Sequence, residues 1–206
     1  MYRRSYLLKK GDPLYFYPNR PILIPPDPVN PMSPEPGYIN SLEKSGKYIA
    51  EQKWNGDNVL IDLSTGQFWN RHKARHKYQP SPEVLSELSK WPKHAILNAE
   101  LMHNRTKFIK DVIIVHCIMG WKGKPLLGKT WGDSRHILED MPSGKHVRVS
   151  EIHQSGFWTL FQAADGSVIE GIILKNPAGK LVYSTMPLAD VSYMMKIRKP
   201  CKKYQF

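Results

Sequence analysis

The chain has 206 residues, of which 41% are hydrophobic and 23% charged, and it carries a formal charge of +12 with a pI of about 9.6. This length and composition predict one globular domain with a substantial core, and they exclude a disordered or fibrous chain. With two cysteines, a disulfide framework and a cysteine-based zinc site are excluded. The positive charge makes nucleic acid the first partner to consider, although a solvated basic surface accounts for the charge equally well.

Targeting and membrane segments are not predicted. The first ten residues lack an apolar stretch long enough for a signal peptide. No run approaches the roughly 18 apolar residues that a membrane-spanning helix needs. We therefore expect an intracellular protein, in the cytoplasm or at a nucleoid or viral replication site, with no membrane partner.

The N-terminal part of the chain is rich in proline, with nine prolines between residues 11 and 37. Proline excludes regular helix there and favours extended or polyproline conformation. Because the segment also carries apolar residues, we expect it to lie along the domain. The predicted organisation is a proline-rich segment over residues 1–45, packed on a catalytic domain over residues 46–206.

The pattern changes to strands from residue 47. Residues 47–50 and 58–63 read as strands, and a tight turn at 64–66 leads into a returning strand at 67–71. Ser81 followed by Pro82 predicts the start of a helix that runs through Trp91 and stops at Pro92.

The second half of the chain is predicted to continue as strands with one more helix. The predicted strands are residues 95–102, 112–119, 168–174 and 193–197. The strand at 112–119 is almost wholly apolar and should be buried on both faces, with Cys117 as a buried thiol. Asp133 is expected to cap a helix through Ile137 and Leu138. The predicted fold is α+β, with two curved antiparallel sheets and a cleft between them.

Lys53 is the first candidate for covalent chemistry. It ends a predicted strand, and the following Asn55-Gly56 turn can aim its side chain into a cleft. A lysine amine becomes a nucleophile when nearby cations or desolvation promote loss of its proton. Taken alone, the Lys-x-x-Gly pattern is more typical of a surface lysine.

Charged residues in later strands strengthen this interpretation. Lys196 and Arg198 are two apart in a predicted strand, so both project from one face, as in a phosphate clamp or a basic edge strand. Glu100 and Glu170 each interrupt an apolar strand. A carboxylate there binds a metal, a ribose hydroxyl or a cation, or it lies at a strand end in water.

Lys175 follows Glu170 by five positions, so the two should face opposite sides of an unbulged strand. Either the strand ends or bulges near residues 176–177, or Lys175 serves the nucleic-acid surface.

Together these segments resemble the motifs of the covalent nucleotidyltransferases, which include ATP-dependent DNA ligases, RNA ligases and mRNA capping enzymes. Five elements follow the family order between residues 51 and 198. They are the nucleophile motif at 51–58, the arginine element Asn70-Arg71, the acidic element at 98–101, the Glu-Gly-x-x-x-Lys element at 170–175 and the closing basic element at 195–198.

The resemblance implies a nucleotidyltransferase, ATP-grasp-like ligase domain in which Lys53 forms a lysyl-AMP intermediate with ATP. Glu170 and Lys196 would assist catalysis, and Glu100 and Glu170 would place Mg²⁺ or Mn²⁺. The AMP would pass to a nucleic-acid 5′-phosphate, and a 3′-hydroxyl would then seal the strand. The residues implied in nucleotide binding are Glu51, Lys53, Asn58, Arg71, Glu100, His116, Glu170, Lys175, Lys196 and Arg198.

Several positions depart from the family pattern. Asn55 replaces the usual aspartate beside the nucleophile, and Asn98-Ala99 replaces Asp-Gly. Asn58 stands where DNA ligases place an arginine and matches the double-strand-sealing RNA ligases better. His116 occupies the place of an aromatic ring that stacks on adenine, or it is a packed core histidine.

Only a short tail follows Lys199, so the C-terminal OB domain of the family is expected to be absent. The basic stretches 71–77 and 199–203, or a partner protein, would then hold the nucleic acid. DNA and RNA both remain open as substrates. Two alternatives to a ligase also remain: a GTP-dependent mRNA capping guanylyltransferase, and a nucleic-acid-binding module that kept the fold but lost the chemistry.

Overall fold

The computed structural model describes residues 20–24, 34–72, 74–182 and 190–199. Its elements in chain order are β1 (Arg20–Leu23), α1 (Pro36–Lys44), β2 (Ile49–Trp54), β3 (Asp57–Asp62), β4 (Gln67–Asn70), α2 (Pro82–Leu88), β5 (Ile96–Met102), β6 (Val112–Trp121), β7 (Lys124–Pro125), α3 (Trp131–Glu139), β8 (Val147–Val149), α4 (Phe157–Ala163), β9 (Ile169–Lys175) and β10 (Asp190–Arg198).

The strands form two sheets. The four-stranded sheet has the order β1-β10-β9-β2, and the six-stranded sheet has the order β4-β3-β5-β6-β7 with β8 also paired to β6. Most neighbours are antiparallel, whereas β1 pairs with β10 and β8 pairs with β6 in parallel. The predicted α+β class with two sheets is confirmed, and the two parallel edge pairs are an addition to it.

Separate apolar clusters cover the outer faces of the sheets. Ile39 of α1 and Phe157 of α4 pack with Ile172 of β9 on the four-stranded sheet. Val84 of α2 and Leu138 of α3 pack on the six-stranded sheet. Because each sheet is covered by helices on one face, the opposite faces are left to form the space between the sheets.

A further cluster joins the two sheets. It contains Cys117 and Met119 of β6 and Trp131 of α3, with Ile49 of β2 and Tyr193 of β10 packed against it. The expectation that Cys117 is buried is confirmed, since 4% of this residue is exposed. These contacts close one end of the space between the sheets.

The strands predicted between residues 47 and 102 are present, and so is the helix that starts after Ser81. The Ser81 hydroxyl accepts a hydrogen bond from Val84 N at 3.4 Å, and α2 ends at Leu88, before the predicted Trp91. The prediction for Asp133 was wrong in detail. Thr130 is the N-cap of α3, and Asp133 lies in the first turn, where its carboxylate accepts from Thr130 N at 2.8 Å.

The proline-rich segment contains regular structure that the sequence did not predict. β1 begins at Arg20, and α1 begins at Pro36, because proline is compatible with the first turn of a helix. Most of the residues expected to be extended, 11–19 and 25–33, lie outside the described residues, as do the basic residues 200–203. The division of the chain at residue 45 stays a prediction.

Helix α4 was also missed, because its stabilising contact is distant in sequence. The Glu43 carboxylate accepts hydrogen bonds from Gly156 N at 2.8 Å and Phe157 N at 2.9 Å. A side chain from α1 therefore satisfies the free N–H groups at the start of α4. Within the described ranges, no helix is long and apolar enough to cross a membrane.

Candidate active site

A cleft of about 430 Å³ lies between the two sheets. This volume is within the range of roughly 300–1,000 Å³ that is typical of small-molecule and cofactor sites. Its charged lining has more cations than carboxylates: Lys53, Arg71, Arg105, Lys175, Lys196 and Arg198 against Asp57, Glu100 and Glu170. The lining suits an anionic ligand.

Lys53 lies near the end of β2, and its ammonium donates a hydrogen bond to Glu170 Oε2 of β9. The Lys53 side chain is 20% exposed, and that of Glu170 is 13% exposed. The pair is therefore mostly withdrawn from water while it still lines the cleft. The structure thus joins the predicted nucleophile to one of the two predicted acids.

A bulge in β9 explains how Glu170 and Lys175 both reach the cleft. Lys53 pairs with Gly171, whereas Trp54 pairs with Ile169, so Glu170 is an extra residue between them. The bulge shifts the alternation of side chains by one position. It lies at the start of β9, not near residues 176–177 as the sequence suggested.

Gly171 makes this bulge possible. Its φ of +153° is rarely adopted by residues with a side chain, and a Cβ here would lie 2.0 Å from the carbonyl oxygen of Ile197. The neighbouring strand β10 therefore approaches β9 so closely that only glycine fits at this position.

Lys196 and Arg198 lie on the other side of β9 from Lys53. Arg198 pairs with Gly171, the residue that also pairs with Lys53, and Lys196 pairs with Ile173. Paired residues of adjacent strands project from the same face of a sheet. The two cations therefore line the cleft beside Lys53, as their spacing in the sequence predicted.

Glu100 enters the cleft from β5 of the opposite sheet. Its Oε1 accepts a hydrogen bond from Gly56 N at 2.9 Å. A Cβ on Gly56 would lie 2.6 Å from the Leu101 carbonyl oxygen, so glycine is needed for this close approach. Burial raises the pKa of Glu100 above its usual value, and the nearby Glu170 carboxylate acts in the same direction.

Glu51, Lys175 and His116 form a buried charged cluster. Glu51 is fully buried, and its Oε2 lies 2.9 Å from Lys175 Nζ and 3.3 Å from His116 Nδ1. Burial alone would raise the pKa of Glu51, but the charge of Lys175 and the contact with His116 lower it to about 2. Lys175 also lies 4.8 Å from the centre of the Trp131 ring.

The three predicted residues of this cluster differ in their position relative to the cleft. Lys175 and His116 line the cleft, whereas Glu51 lies beneath them and holds them by charge. Lys175 is only 4% exposed, so it is placed in the cleft and not on an outer surface.

The asparagines that depart from the family pattern differ in their position relative to the cleft. Asn55 turns away from the cleft lining, and its amide donates to Ser167 O at 2.7 Å. Asn58 lines the cleft, and its Oδ1 accepts from Asn98 Nδ2 at 3.1 Å. Asn98 is buried and donates to Val59 O as well, at 3.3 Å. Asn98 therefore sets the orientation of the Asn58 amide.

The cleft lining has an apolar group and a cationic group. Met119, Trp131, Leu181 and Tyr193 all line the cleft and pack in the cluster that joins the two sheets. Lys53 and Arg198 line it from either side of Gly171. A ligand that combines a flat apolar group with phosphates matches this lining.

Sequence reasoning missed several lining residues. Trp131 and Tyr193 are distant from each other in the sequence and come together in the apolar cluster that joins the two sheets. Arg105 is exposed in a loop, and its Nε lies 2.8 Å from Asp57 Oδ1. Nothing in the local sequence distinguishes Arg105 from other surface cations. Asp57 directly follows the predicted Asn55-Gly56 turn, and that position could have identified it. Arg71 was predicted and lies exposed at the rim.

Glu100 and Glu170 are the carboxylates available for a metal ion. In the part of the chain that is described, no group of three or more acidic, histidine or cysteine side chains is placed to hold a metal. Mg²⁺ is commonly bound by one or two carboxylates together with substrate phosphates. The two carboxylates fit that mode, because both line the cleft and lie near enough to interact electrostatically.

No model of a protein family matches the sequence, and no curated protein matches it either. Solved structures do match the fold. The ligase domain of LigD from M. tuberculosis has a TM-score of 0.60 at 16% identity, over 87% of this chain and 59% of that chain. The ATP-dependent DNA ligase of bacteriophage T7, solved with ATP, has a TM-score of 0.51 at 14% identity, over 88% of this chain and 68% of that chain.

A Lig E DNA ligase, described as binding DNA with a minimal scaffold, has a TM-score of 0.52 at 14% identity. The match covers 74% of this chain and 62% of that chain. The chain thus spans about three fifths of the LigD and Lig E structures that it matches. Its two-sheet architecture, with the cleft between the sheets, is the nucleotidyltransferase fold of ATP-dependent DNA ligases.

Proposed function

We propose that this protein is an ATP-dependent polynucleotide ligase and that Lys53 carries the AMP. One observation supports the proposal most strongly. Lys53 and Arg198 flank Gly171 on either side of β9, and Lys53 is hydrogen bonded to Glu170. A candidate nucleophile therefore lies beside an acid and a phosphate-binding cation in one cleft.

In the first step, the Lys53 amine attacks the α-phosphorus of ATP. A nitrogen–phosphorus bond forms, the bond to the β-phosphate breaks, and pyrophosphate leaves. Lys53 must first lose a proton, and the Glu170 carboxylate is the acceptor in contact with it. Lys196 and Arg198 stabilise the negative charge that builds on the α-phosphate.

The other cleft residues bind the nucleotide. The base would pack against Trp131 and Tyr193, with Lys175 beside the Trp131 ring. Asn58 and Glu100 pair across β3 and β5 and line the cleft, and Asn58 would contact the ribose. Mg²⁺ or Mn²⁺, held by Glu100 and Glu170 together with the phosphates, would supply Lewis-acid neutralisation of phosphate charge.

In the later steps, AMP passes from Lys53 to a 5′-phosphate, and a 3′-hydroxyl then displaces AMP to form the phosphodiester. Nucleic acid is supported as the acceptor by the net charge of +12, by Arg71 at the rim and by the exposed Arg75. Of the other basic stretch, 199–203, the structure describes Lys199, whose Nζ donates to Gln162 O of α4 at 3.2 Å. A partner protein is not supported and forms no part of the proposal.

ATP is favoured over GTP because the similar T7 ligase and mycobacterial ligase D were solved with ATP. The test is incubation of the purified protein with α-labelled ATP or GTP and Mg²⁺, followed by denaturation. We expect label from ATP alone, with none on Lys53→Ala. Label from GTP alone would indicate a capping guanylyltransferase, and no label from either would indicate a binding module.

A chase then identifies the nucleic acid. Labelled protein is mixed with matched nicks in DNA, in RNA and in DNA–RNA hybrid duplexes. We expect the label to move to the 5′-phosphate of at least one nick and a sealed strand to follow. Retention of the label on the protein with all three would contradict the ligase assignment.

A further inference from the structure

The loop between β5 and β6, residues 103–111, displays an exposed aromatic ring among cations. Phe108 is 89% exposed, more than any other large hydrophobic residue among those described. Arg105, Lys107 and Lys110 of the same loop are also exposed. A single exposed apolar residue is common on protein surfaces, but an aromatic ring set among cations is the combination with which proteins bind nucleic-acid strands.

The loop is held in shape by its own contacts. At its ends, His103 Nδ1 lies 2.8 Å from Asp111 Oδ1, and Lys110 Nζ donates to His103 O. Within it, Thr106 Oγ1 donates to Ile109 O at 2.9 Å.

The base of the loop is also packed against a buried residue. The Tyr78 ring meets the His103 ring edge-on, with the ring centres 4.9 Å apart. Burial, followed by the nearby Asp111 carboxylate, raises the pKa of Tyr78 above its usual value. The fold therefore presents Phe108 on a defined loop.

The loop also borders the mouth of the cleft. Arg105 Nε lies 2.8 Å from Asp57 Oδ1, and His76 Nε2 lies 3.8 Å from Asp57 Oδ2. All three residues line the cleft. Asp57 thus ties the 103–111 loop to the basic stretch 71–77 along one rim.

We propose that the 103–111 loop is a nucleic-acid contact in which Phe108 packs on a base or sugar and Lys107 and Lys110 bind flanking phosphates. This inference rests on the proposed function, because it concerns the polynucleotide acceptor of the same cleft. The occupant is assigned by charge complementarity: cations surround the ring, and nucleic acid offers apolar faces between phosphates. A second copy of this chain would bring equal positive charge to the same place.

The test compares Phe108→Ser and Lys107→Ala with a control, Leu85→Ser, which removes another exposed apolar side chain, on α2, that is 51% exposed in the folded chain. Each variant is titrated with a fluorescent nicked duplex at several salt concentrations, both as unmodified and as ATP-treated protein. Label from ATP on Lys53 and AMP transfer to the nick are measured on the same preparations.

We expect Phe108→Ser to label normally, to bind the duplex about tenfold more weakly with an unchanged salt slope, and to raise the KM for AMP transfer. Lys107→Ala should reduce the salt slope by about 1, since it removes one phosphate contact. Leu85→Ser should match the wild type in both measurements.

Wild-type duplex affinity and AMP transfer in Phe108→Ser would overturn the inference. So would a wild-type dimer that Phe108→Ser converts to a monomer in analytical ultracentrifugation, since the ring would then belong to a self-association surface. The two claims have separate readouts. If the proposed function is wrong, ATP does not label the wild-type protein, and the binding titration still tests the role of Phe108.

Discussion

Lys53 and Glu170 lie 117 positions apart in the sequence, and their side chains form a hydrogen-bonded ion pair in the cleft between the two sheets. The contact depends on the bulge at Glu170, which turns this carboxylate toward β2. The proposed nucleophile and its proposed proton acceptor are thus already in contact in this structure.

Replacing Glu170 by glutamine should remove this acceptor while preserving its shape. We expect the rate of Lys53 labelling by ATP to fall by about 10²-fold or more, as is usual when a general base is lost. Rapid-quench labelling at pH 7 measures the rate, and an unchanged rate would exclude Glu170 from proton transfer.

Gly171→Ala should both destabilise the protein and stop labelling. The added Cβ meets the Ile197 carbonyl oxygen, and φ of +153° is strained for alanine. The control is Gly66→Ala, where φ is +68° but no atom lies within 4 Å, so the cost is about 1–2 kcal/mol. Urea denaturation of both variants should show a clearly larger loss for Gly171→Ala; equal losses would mean that the close approach of β10 is not needed.

The sequence was sufficient to predict many residues of the cleft, but not the contacts that bring them together. The spacing of Lys196 and Arg198 was sufficient to place both on one strand face, because strand alternation is local. The shared orientation of Glu170 and Lys175 was not predictable, because it depends on a bulge that forms only when β2 and β10 pair with β9.

Contacts between distant segments account for the other differences. Strand pairing brings Glu51 into contact with Lys175. The Glu43 carboxylate of α1 accepts a hydrogen bond from a backbone N–H group at the N-terminus of α4. Neither contact leaves a pattern in the local sequence. The strands between residues 57 and 102 were predicted, since they are short runs rich in apolar and aromatic residues and the first two are joined by a recognisable turn at 64–66.

Lys175→Met should leave the buried Glu51 carboxylate without its lysine partner. Loss of one partner from a buried ion pair typically costs about 3–5 kcal/mol, so we expect a loss of this size in urea denaturation at pH 7. Lys180→Met, at an exposed position, should change stability by less than about 0.5 kcal/mol. Equal effects of the two variants would contradict the assigned pair.

The same pair should make the protein sensitive to acid. The pKa of Glu51 is about 2 in the folded protein against an ordinary value of 4.5, so its stabilisation is present above pH 4.5 and is lost as pH falls toward 2. Glu51→Gln should therefore be less stable than the wild type at pH 7, and the difference should shrink as the pH is lowered through this range.

Glu100→Gln should raise stability at pH 7 while it reduces labelling of Lys53. Because the pKa of Glu100 is raised, its ionised form opposes folding, and the wild type loses stability as pH rises through that pKa. Glutamine retains an acceptor for Gly56 N without the charge. A lower melting temperature for Glu100→Gln at pH 7 would contradict this account.

Glu87→Gln provides a control of opposite sign. Burial raises the pKa of Glu87, but hydrogen bonds from the backbone N–H groups of Val147, His146 and Lys145 lower it below its usual value. Its ionised form therefore supports folding, and this support is lost as pH falls through the lowered pKa. We expect Glu87→Gln to melt at a lower temperature at pH 7 and to label Lys53 normally.

The central claim is that Lys53 carries AMP, and peptide mass spectrometry tests it most directly. The protein is incubated with ATP and Mg²⁺, digested under conditions that preserve the phosphoramidate, and searched for peptides that gain one AMP group. The account predicts AMP on Lys53, its removal by added pyrophosphate, and none on Lys175 or Lys196. AMP on another residue, or an unmodified Lys53 in protein that has released pyrophosphate from ATP, would contradict it.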